Sequence, residues 1–135
     1  MSEENLEAFK RGIEVYNRGD VEALLALLDP AIEWHMALQA ALGGGAAIYH
    51  GHEGVREYLR DMDEAFAEVH LDFSDIRDLD DRILAVGSFH TVGRGSGAEI
   101  ESPLGVVVDV RDEKLTRVLT YLDRNEALEA AGLPE

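Results

Sequence analysis

The chain has 135 residues, of which 28 are acidic and 12 basic, so its formal net charge is −16 at pH 7. The length predicts one domain over residues 1–135, and the 46% hydrophobic content predicts a packed core. The negative charge repels phosphate groups and anionic lipid, which disfavours nucleic-acid and membrane partners. The absence of cysteine excludes disulfides and thiolate chemistry. An acidic start and the lack of a long apolar run lead us to expect a cytoplasmic protein.

The first third of the chain predicts two helices and a strand. Apolar residues recur at helical spacing at Leu6, Phe9, Ile13 and Tyr16. After a break at Gly19-Asp20, a second helix is predicted over Val21–Leu28, ending at Asp29-Pro30 because proline cannot continue a helix. Alternation over Ile32–Met36 predicts a strand.

The middle of the chain predicts a loop and a third helix. The loop runs from about Leu38 to Ile48, and its glycines Gly43–Gly45 predict a flexible flap rather than a phosphate site. The third helix follows, with one apolar stripe at Val55, Tyr58, Leu59, Met62 and Phe66.

The remainder of the chain predicts a meander of long strands. One strand opens at Val69, and three more cover Ile83–Val92, Ile100–Val110 and Leu115–Leu122. A short helix is predicted over Asn125–Ala131. Helices followed by such strands are typical of an α+β fold, with helices on one side of a curved antiparallel sheet. Glycines within two of the strands, Gly87 and Gly105, favour strong bending.

The order of these elements resembles the nuclear transport factor 2-like superfamily, and within it the SnoaL-like branch. The resemblance lies in four stretches, which are residues 16–20 with 28–30, residues 49–56, residues 112–115 and residues 121–133. It implies a cone-shaped curved antiparallel sheet packed against three helices. The superfamily includes isomerases, cyclases, epoxide hydrolases and non-catalytic binding proteins, so the fold alone does not fix an activity.

The resemblance also places the catalytic groups of known relatives on this sequence. The general-base aspartate of the steroid isomerases falls at Trp34, their oxyanion-hole tyrosine near Gly12, and its partner aspartate near Val106. The aspartate of the cyclases and epoxide hydrolases falls at Thr120. These substitutions remove the acid–base groups, so none of these mechanisms is predicted to operate unchanged.

Strand alternation predicts an apolar interior. If Trp34 faces inward, the inward-facing strand and helix residues form a chamber that suits a small hydrophobic or aromatic ligand. The predicted ligand-pocket residues are Tyr16, Trp34, Met36, Tyr58, Met62, Val106, Val108 and Thr120. In the alternative interpretation, these side chains meet and fill the cone.

His90 is the candidate catalytic residue, because a mid-strand histidine can act as a base near neutral pH. It shares a strand face with Leu84, Val86, Ser88 and Val92, and it equally fits a core position or a dimer contact. A metal site at His50, His52 and Glu53 would need a further ligand such as His35, so no metal and no cofactor is predicted.

Two surface features suggest partners. Asp109 and Glu101 share a strand face that relatives often use to pair two subunits, so we expect a homodimer, with Asp109 paired to Arg111 or Arg117. Residues 53–81 carry much of the negative charge. The sequence therefore supports two functions: small hydrophobic-molecule binding, with or without acid–base catalysis, or a protein-interaction module that uses the acidic and sheet surfaces.

Overall fold

The computed structural model describes residues 2–36, 47–80 and 82–132. Within these ranges there are four helices and six strands. The helices are α1 (Ser2–Arg18), α2 (Val21–Ala26), α3 (Gly51–Ala65) and α4 (Arg124–Ala130). The strands are β1 (Leu28–Met36), β2 (Ala47–His50), β3 (Phe66–Asp78), β4 (Arg82–Gly93), β5 (Glu99–Arg111) and β6 (Lys114–Tyr121). The predicted glycine flap at 43–45 lies outside the described residues.

The six strands form one open sheet in the order β2-β1-β6-β5-β4-β3. The last four strands pair antiparallel as predicted. The tight turn between β5 and β6 has positive φ at both Asp112 and Glu113, and such a turn matches the right-handed twist of the two strands. The prediction of a wholly antiparallel sheet is wrong in one place, because β1 pairs parallel with β6. The α+β architecture itself is confirmed.

Two boundaries in the first half differ from the predictions. The second helix ends at Ala26, and Leu28 to Pro30 already belong to β1, whose pairing with β6 begins at Leu28 and Leu115. Proline is compatible with this position because the β1 register is irregular between Leu28 and Glu33. The last two residues of the predicted loop, Ala47 and Ile48, belong to β2, which pairs with the end of β1.

The helices divide between the two faces of the sheet, which we call inner and outer. The inner face carries α1, α2 and α3, and its core contains the fully buried Leu28, Ile32, Val55 and Val108. On the outer face, α4 packs through Ala127 and Leu128 onto Leu84, Val86 and Val107. The predicted three-helix cap thus corresponds to the inner face, and the fourth helix covers the opposite side. No helix in the described ranges is long and apolar enough to cross a membrane.

Candidate functional site

A cavity lies between the inner face of the sheet and the helices α1 and α3. A volume of about 80 Å³ within it is accessible to the centre of a water molecule. That corresponds to roughly five to eight waters, enough space for a small ring compound. The inner side chains therefore do not fill the cone completely.

The residues predicted for the interior meet at this cavity. Its lining includes all eight of them, which are Tyr16, Trp34, Met36, Tyr58, Met62, Val106, Val108 and Thr120. Period-two alternation on the strands and helical spacing on α1 and α3 identified them because each element has only one face turned toward the cavity. That a ligand contacts these residues stays a prediction.

Three aromatic residues of the lining were not among the predicted set, namely Phe9, Phe73 and Phe89. The rings of Phe9 and Phe73 lie 6.1 Å apart between α1 and β3. Helical spacing relative to Tyr16 could have identified Phe9, and strand alternation from Val69 could have identified Phe73. No such pattern identifies Phe89, because β4 is buried on both faces and its apolar and polar residues do not alternate. Leu84 on one face and Ala85 on the other are both fully buried.

Two tyrosines supply the main polar groups of the cavity. The hydroxyl oxygens of Tyr16 on α1 and Tyr58 on α3 lie 2.8 Å apart, at hydrogen-bonding distance. Tyr58 also packs against Trp34, with ring centroids 5.2 Å apart. Burial raises the pKa of Tyr16, and burial together with the neighbouring tyrosines raises the pKa of Tyr58 well above its usual value. Both hydroxyls are therefore neutral hydrogen-bonding groups at physiological pH.

The other polar atoms of the lining have protein partners. The Thr120 hydroxyl donates to the His35 carbonyl at 2.7 Å, and the Trp34 indole N–H points at the Met36 sulfur at 3.2 Å. Within the described residues, the lining contains no carboxylate, imidazole or basic side chain. The site can thus bind an apolar body and hydrogen-bond to it, but it offers no ordinary proton-abstracting base.

The positions of the relatives' catalytic groups fall in this cavity as well. Gly12, Trp34, Val106 and Thr120 all line it. At each of these positions the chain has a residue that cannot carry out the acid–base role that the resemblance implied. The hydroxyl pair of Tyr16 and Tyr58 is instead located one helical turn beyond Gly12, since Tyr16 follows it by four residues.

His90 does not line this cavity. It shares the outer face with Leu84 and Val86, and its Nε2 lies 3.5 Å from a carboxylate oxygen of Glu99. Glu99 on the adjacent strand β5 is therefore a carboxylate that can orient the His90 ring. A catalytic role for His90 stays a prediction, and its side chain is not part of the lining of this cavity.

The remaining histidine and acidic candidates make ordinary structural contacts. The Nε2 atom of His52 lies 2.9 Å from the Leu28 carbonyl oxygen. The Nε2 atom of His35 lies 3.1 Å from a carboxylate oxygen of Glu33. No group of three or more potential metal-ligating side chains was found in the part of the chain that the structure describes. Asp109 pairs with Arg117 of the same chain at 3.3 Å, as one of the predicted pairings has it, and the homodimer stays a prediction.

Comparisons with solved structures return the same fold. The chain is 23% identical to TerC, co-crystallized with polyporic acid, with a TM-score of 0.78 over 93% of this chain and 96% of that one. It is 17% identical to a hypothetical protein with a ketosteroid isomerase-like fold from Catenulispora acidiphila, in complex with trimethylamine, with a TM-score of 0.75 and coverage of 95% and 94%.

A third similar structure is a candidate polyketide cyclase from Xanthomonas campestris pv. campestris, at 23% identity, a TM-score of 0.74 and coverage of 92% and 93%. No curated protein matches the chain. At these identities the similarity shows the fold alone. The family described as the SnoaL-like domain matches residues 9–118, which is most of the sequence. The chain therefore belongs to the SnoaL-like domain family that its element order resembled.

Proposed function

We propose that the protein binds a small, uncharged, ring-containing molecule in the inner cavity and holds one acceptor oxygen of that molecule at the Tyr16–Tyr58 pair. The observation that carries the proposal is this hydroxyl pair within an otherwise apolar lining. Pockets of this kind bind by shape, and a few polar groups fix the orientation of the ligand.

The hydroxyl pair leaves one hydrogen for a ligand. Two hydroxyls carry two hydrogens, and only one of them can lie between the oxygens of Tyr16 and Tyr58. Among the described residues, neither hydroxyl has a second protein partner. A carbonyl, ether or phenol oxygen of the ligand can accept the remaining hydrogen. Once a ligand has displaced the water from the cavity, leaving that hydrogen bond unmade would be costly.

The apolar lining argues for an uncharged ligand. A charged group moved from water into the cavity would lose its hydration without gaining a counter-ion from the described lining, which is strongly unfavourable. The family relationship supports the small-molecule role, and two similar proteins were crystallised with small molecules. Since no base lines the described cavity, the proposal is binding, and turnover is not part of it.

The alternative of a protein-interaction module has less support. It required a cone filled by its own side chains, whereas the cavity retains open volume. Its acidic surface does exist, because Glu53, Glu57, Asp61 and Glu64 are exposed on α3. Such side chains equally serve as the solvated face of a helix, so they favour neither function.

A thermal-unfolding comparison of acetophenone with ethylbenzene tests the proposal, because the two differ in the carbonyl oxygen. We expect both to stabilise the protein and acetophenone to do so at lower concentration. A ligand at 100 times its Kd adds about 2.7 kcal/mol, which is easily measured. The double variant Tyr16→Phe/Tyr58→Phe leaves no hydroxyl to donate and should remove the advantage of the ketone, whereas Tyr121→Phe, on the outer face, should retain it. The absence of stabilisation by any small ring compound would contradict the proposal.

A further inference from the structure

A second pocket adjoins the cavity and opens to solvent. We call it the vestibule, and a volume of about 560 Å³ within it is accessible to the centre of a water molecule. It is lined by the end of α1 and the residue after it (residues 16–19), the end of α3 (Leu59, Met62, Asp63), the start of β3 (residues 66–70) and His90. Tyr16, Met62 and Val69 line both spaces. A molecule in the cavity that extends past these three side chains would enter the vestibule.

The vestibule differs from the cavity in its chemistry. Besides Tyr16, five acidic, basic or imidazole side chains line it, namely Arg18, Asp63, Glu68, His70 and His90. Among the residues that the structure describes, Arg18 makes only long ion pairs, at 4.0 Å to Glu14 and 3.9 Å to Asp20, so its guanidinium hydrogens are available to a ligand. Glu68 is exposed.

The mixture of donors and acceptors selects the kind of ligand group. An anionic group would meet Asp63 and Glu68, and the net charge of −16 opposes its approach. A cationic group would meet Arg18. Hydroxyl groups can donate to the carboxylates and accept from the guanidinium and imidazole hydrogens, so a neutral hydroxyl-bearing group satisfies both kinds of side chain.

We infer that the vestibule binds an uncharged, hydroxyl-rich arm, such as a glycosyl group, of the same molecule whose ring body occupies the cavity. This inference rests on the proposed function, since the arm is placed by the ring body. Tyr16 stands at the junction, with its hydroxyl at the Tyr58 pair and its side chain shared by both spaces. The two spaces together therefore specify an amphiphile with an apolar ring at one end and hydroxyls at the other.

Isothermal titration with 4′-hydroxyacetophenone and its β-D-glucoside tests the inference, because the two share the ring and the ketone. We expect the glucoside to bind about tenfold more tightly, the equivalent of one or two net hydrogen bonds. Arg18→Ala and Glu68→Ala should each reduce this ratio and leave the affinity for the parent ketone unchanged. Arg11→Ala and Glu57→Ala, at exposed positions outside both pockets, are the matched controls and should retain the ratio.

The outcomes separate the two proposals. If the ketone binds and the glucoside binds no better, the vestibule inference is wrong and the cavity proposal stands. If neither binds, both are wrong. An anionic analogue, 4-acetylphenoxyacetate, should bind more weakly than the parent ketone, and an affinity equal to that of the glucoside would overturn the assignment of a neutral arm. Unchanged melting temperatures of the variants, measured in parallel, show that each has folded.

Discussion

The inner and outer faces of the sheet are packed to different degrees. On β5, the neighbouring residues Gly105 and Val106 point to opposite faces. A methyl group added at Gly105 would lie 2.5 Å from the Ala127 side chain of α4, which leaves no space. Val106 faces a cavity with room for several waters. At this point of the sheet, the inner face therefore has open volume and the outer face is tightly packed.

The largest effect should come from filling the tight face. Gly105→Ala forces α4 away from the sheet, and we expect a loss of about 2–3 kcal/mol in the free energy of unfolding, measured by urea denaturation. The double variant Gly105→Ala/Ala127→Gly moves the methyl group from the helix to the strand and should recover part of the loss. A simple sum of the two single effects would mean that α4 does not contact the sheet as described.

Alkaline pH should separate the tyrosines of the two faces. The native state raises the pKa of Tyr16 and Tyr58 above the ordinary value of about 10, so it holds their protons more tightly than the unfolded state does. Stability is therefore fully retained below pH 10 and falls as the pH rises from that value toward the raised native ones. The slope is up to about 1.4 kcal/mol per pH unit for each tyrosine.

Tyr58→Phe should flatten this alkaline decline, measured by urea denaturation between pH 9 and pH 11. Burial also raises the pKa of Tyr121 on the outer face, while Arg117 opposes that shift. Since Tyr121 is only partly buried, Tyr121→Phe should change the slope less. An equal change in both variants would contradict the difference between the faces.

The attachment of β3 to α1 should depend on the side chain of Asn17. Its side-chain amide donates to the Leu71 carbonyl at 2.9 Å and accepts from the Leu71 N–H at 2.8 Å, so it acts as a pairing partner for the edge strand β3. Asn17→Asp keeps the acceptor but loses the donor, and we expect a loss of about 1–2 kcal/mol in the free energy of unfolding.

Asn5→Asp is the control for Asn17→Asp. Asn5 only accepts a hydrogen bond, from the Glu113 N–H at 3.1 Å, and aspartate retains that acceptor. We therefore expect a change below about 0.5 kcal/mol. Similar losses in the two variants would indicate that negative charge alone, rather than the lost donor, causes the effect.

Adding volume to the open face should change the stability much less than filling the tight face. Val106→Leu places one more methylene in the cavity, and we expect the free energy of unfolding to change by less than about 1 kcal/mol. The affinity for ring compounds should nevertheless fall, because the added group occupies ligand space. Titration with acetophenone and urea denaturation of the same variant measure both quantities. A loss of stability as large as that of Gly105→Ala would show that Val106 has no open space beside it.

The sequence predicted the inner face well because that information is local. Alternation at Ile32, Trp34 and Met36 identifies an inward set, and helical spacing does the same for Tyr58 and Met62. Each of these patterns can be recognised from residues that are close in the sequence, provided that only one side of the helix or strand is buried. The family resemblance then supplied the order in which the elements assemble.

The rest depended on contacts between distant segments. The hydroxyl pair joins residues 42 positions apart, and no pattern in either helix indicates that the two oxygens meet. The parallel pairing of β1 with β6 and the short strand β2 are equally non-local. The face taken by His90 could not be predicted, since α4 buries the outer face of β4 and thereby removes the usual alternation of apolar and polar residues.

The parallel pairing of β1 with β6 has a consequence for folding. Trp34 is aligned with Val118, so β1, which contributes Trp34 and Met36 to the cavity wall, pairs with a segment 84 residues later in the chain. Closing so long a loop is slow compared with forming the hairpins among β3 to β6. The meander can therefore form first, and the insertion of β1 against it completes the chamber last. The only tryptophan of the chain lies at that junction, where its fluorescence follows the step directly.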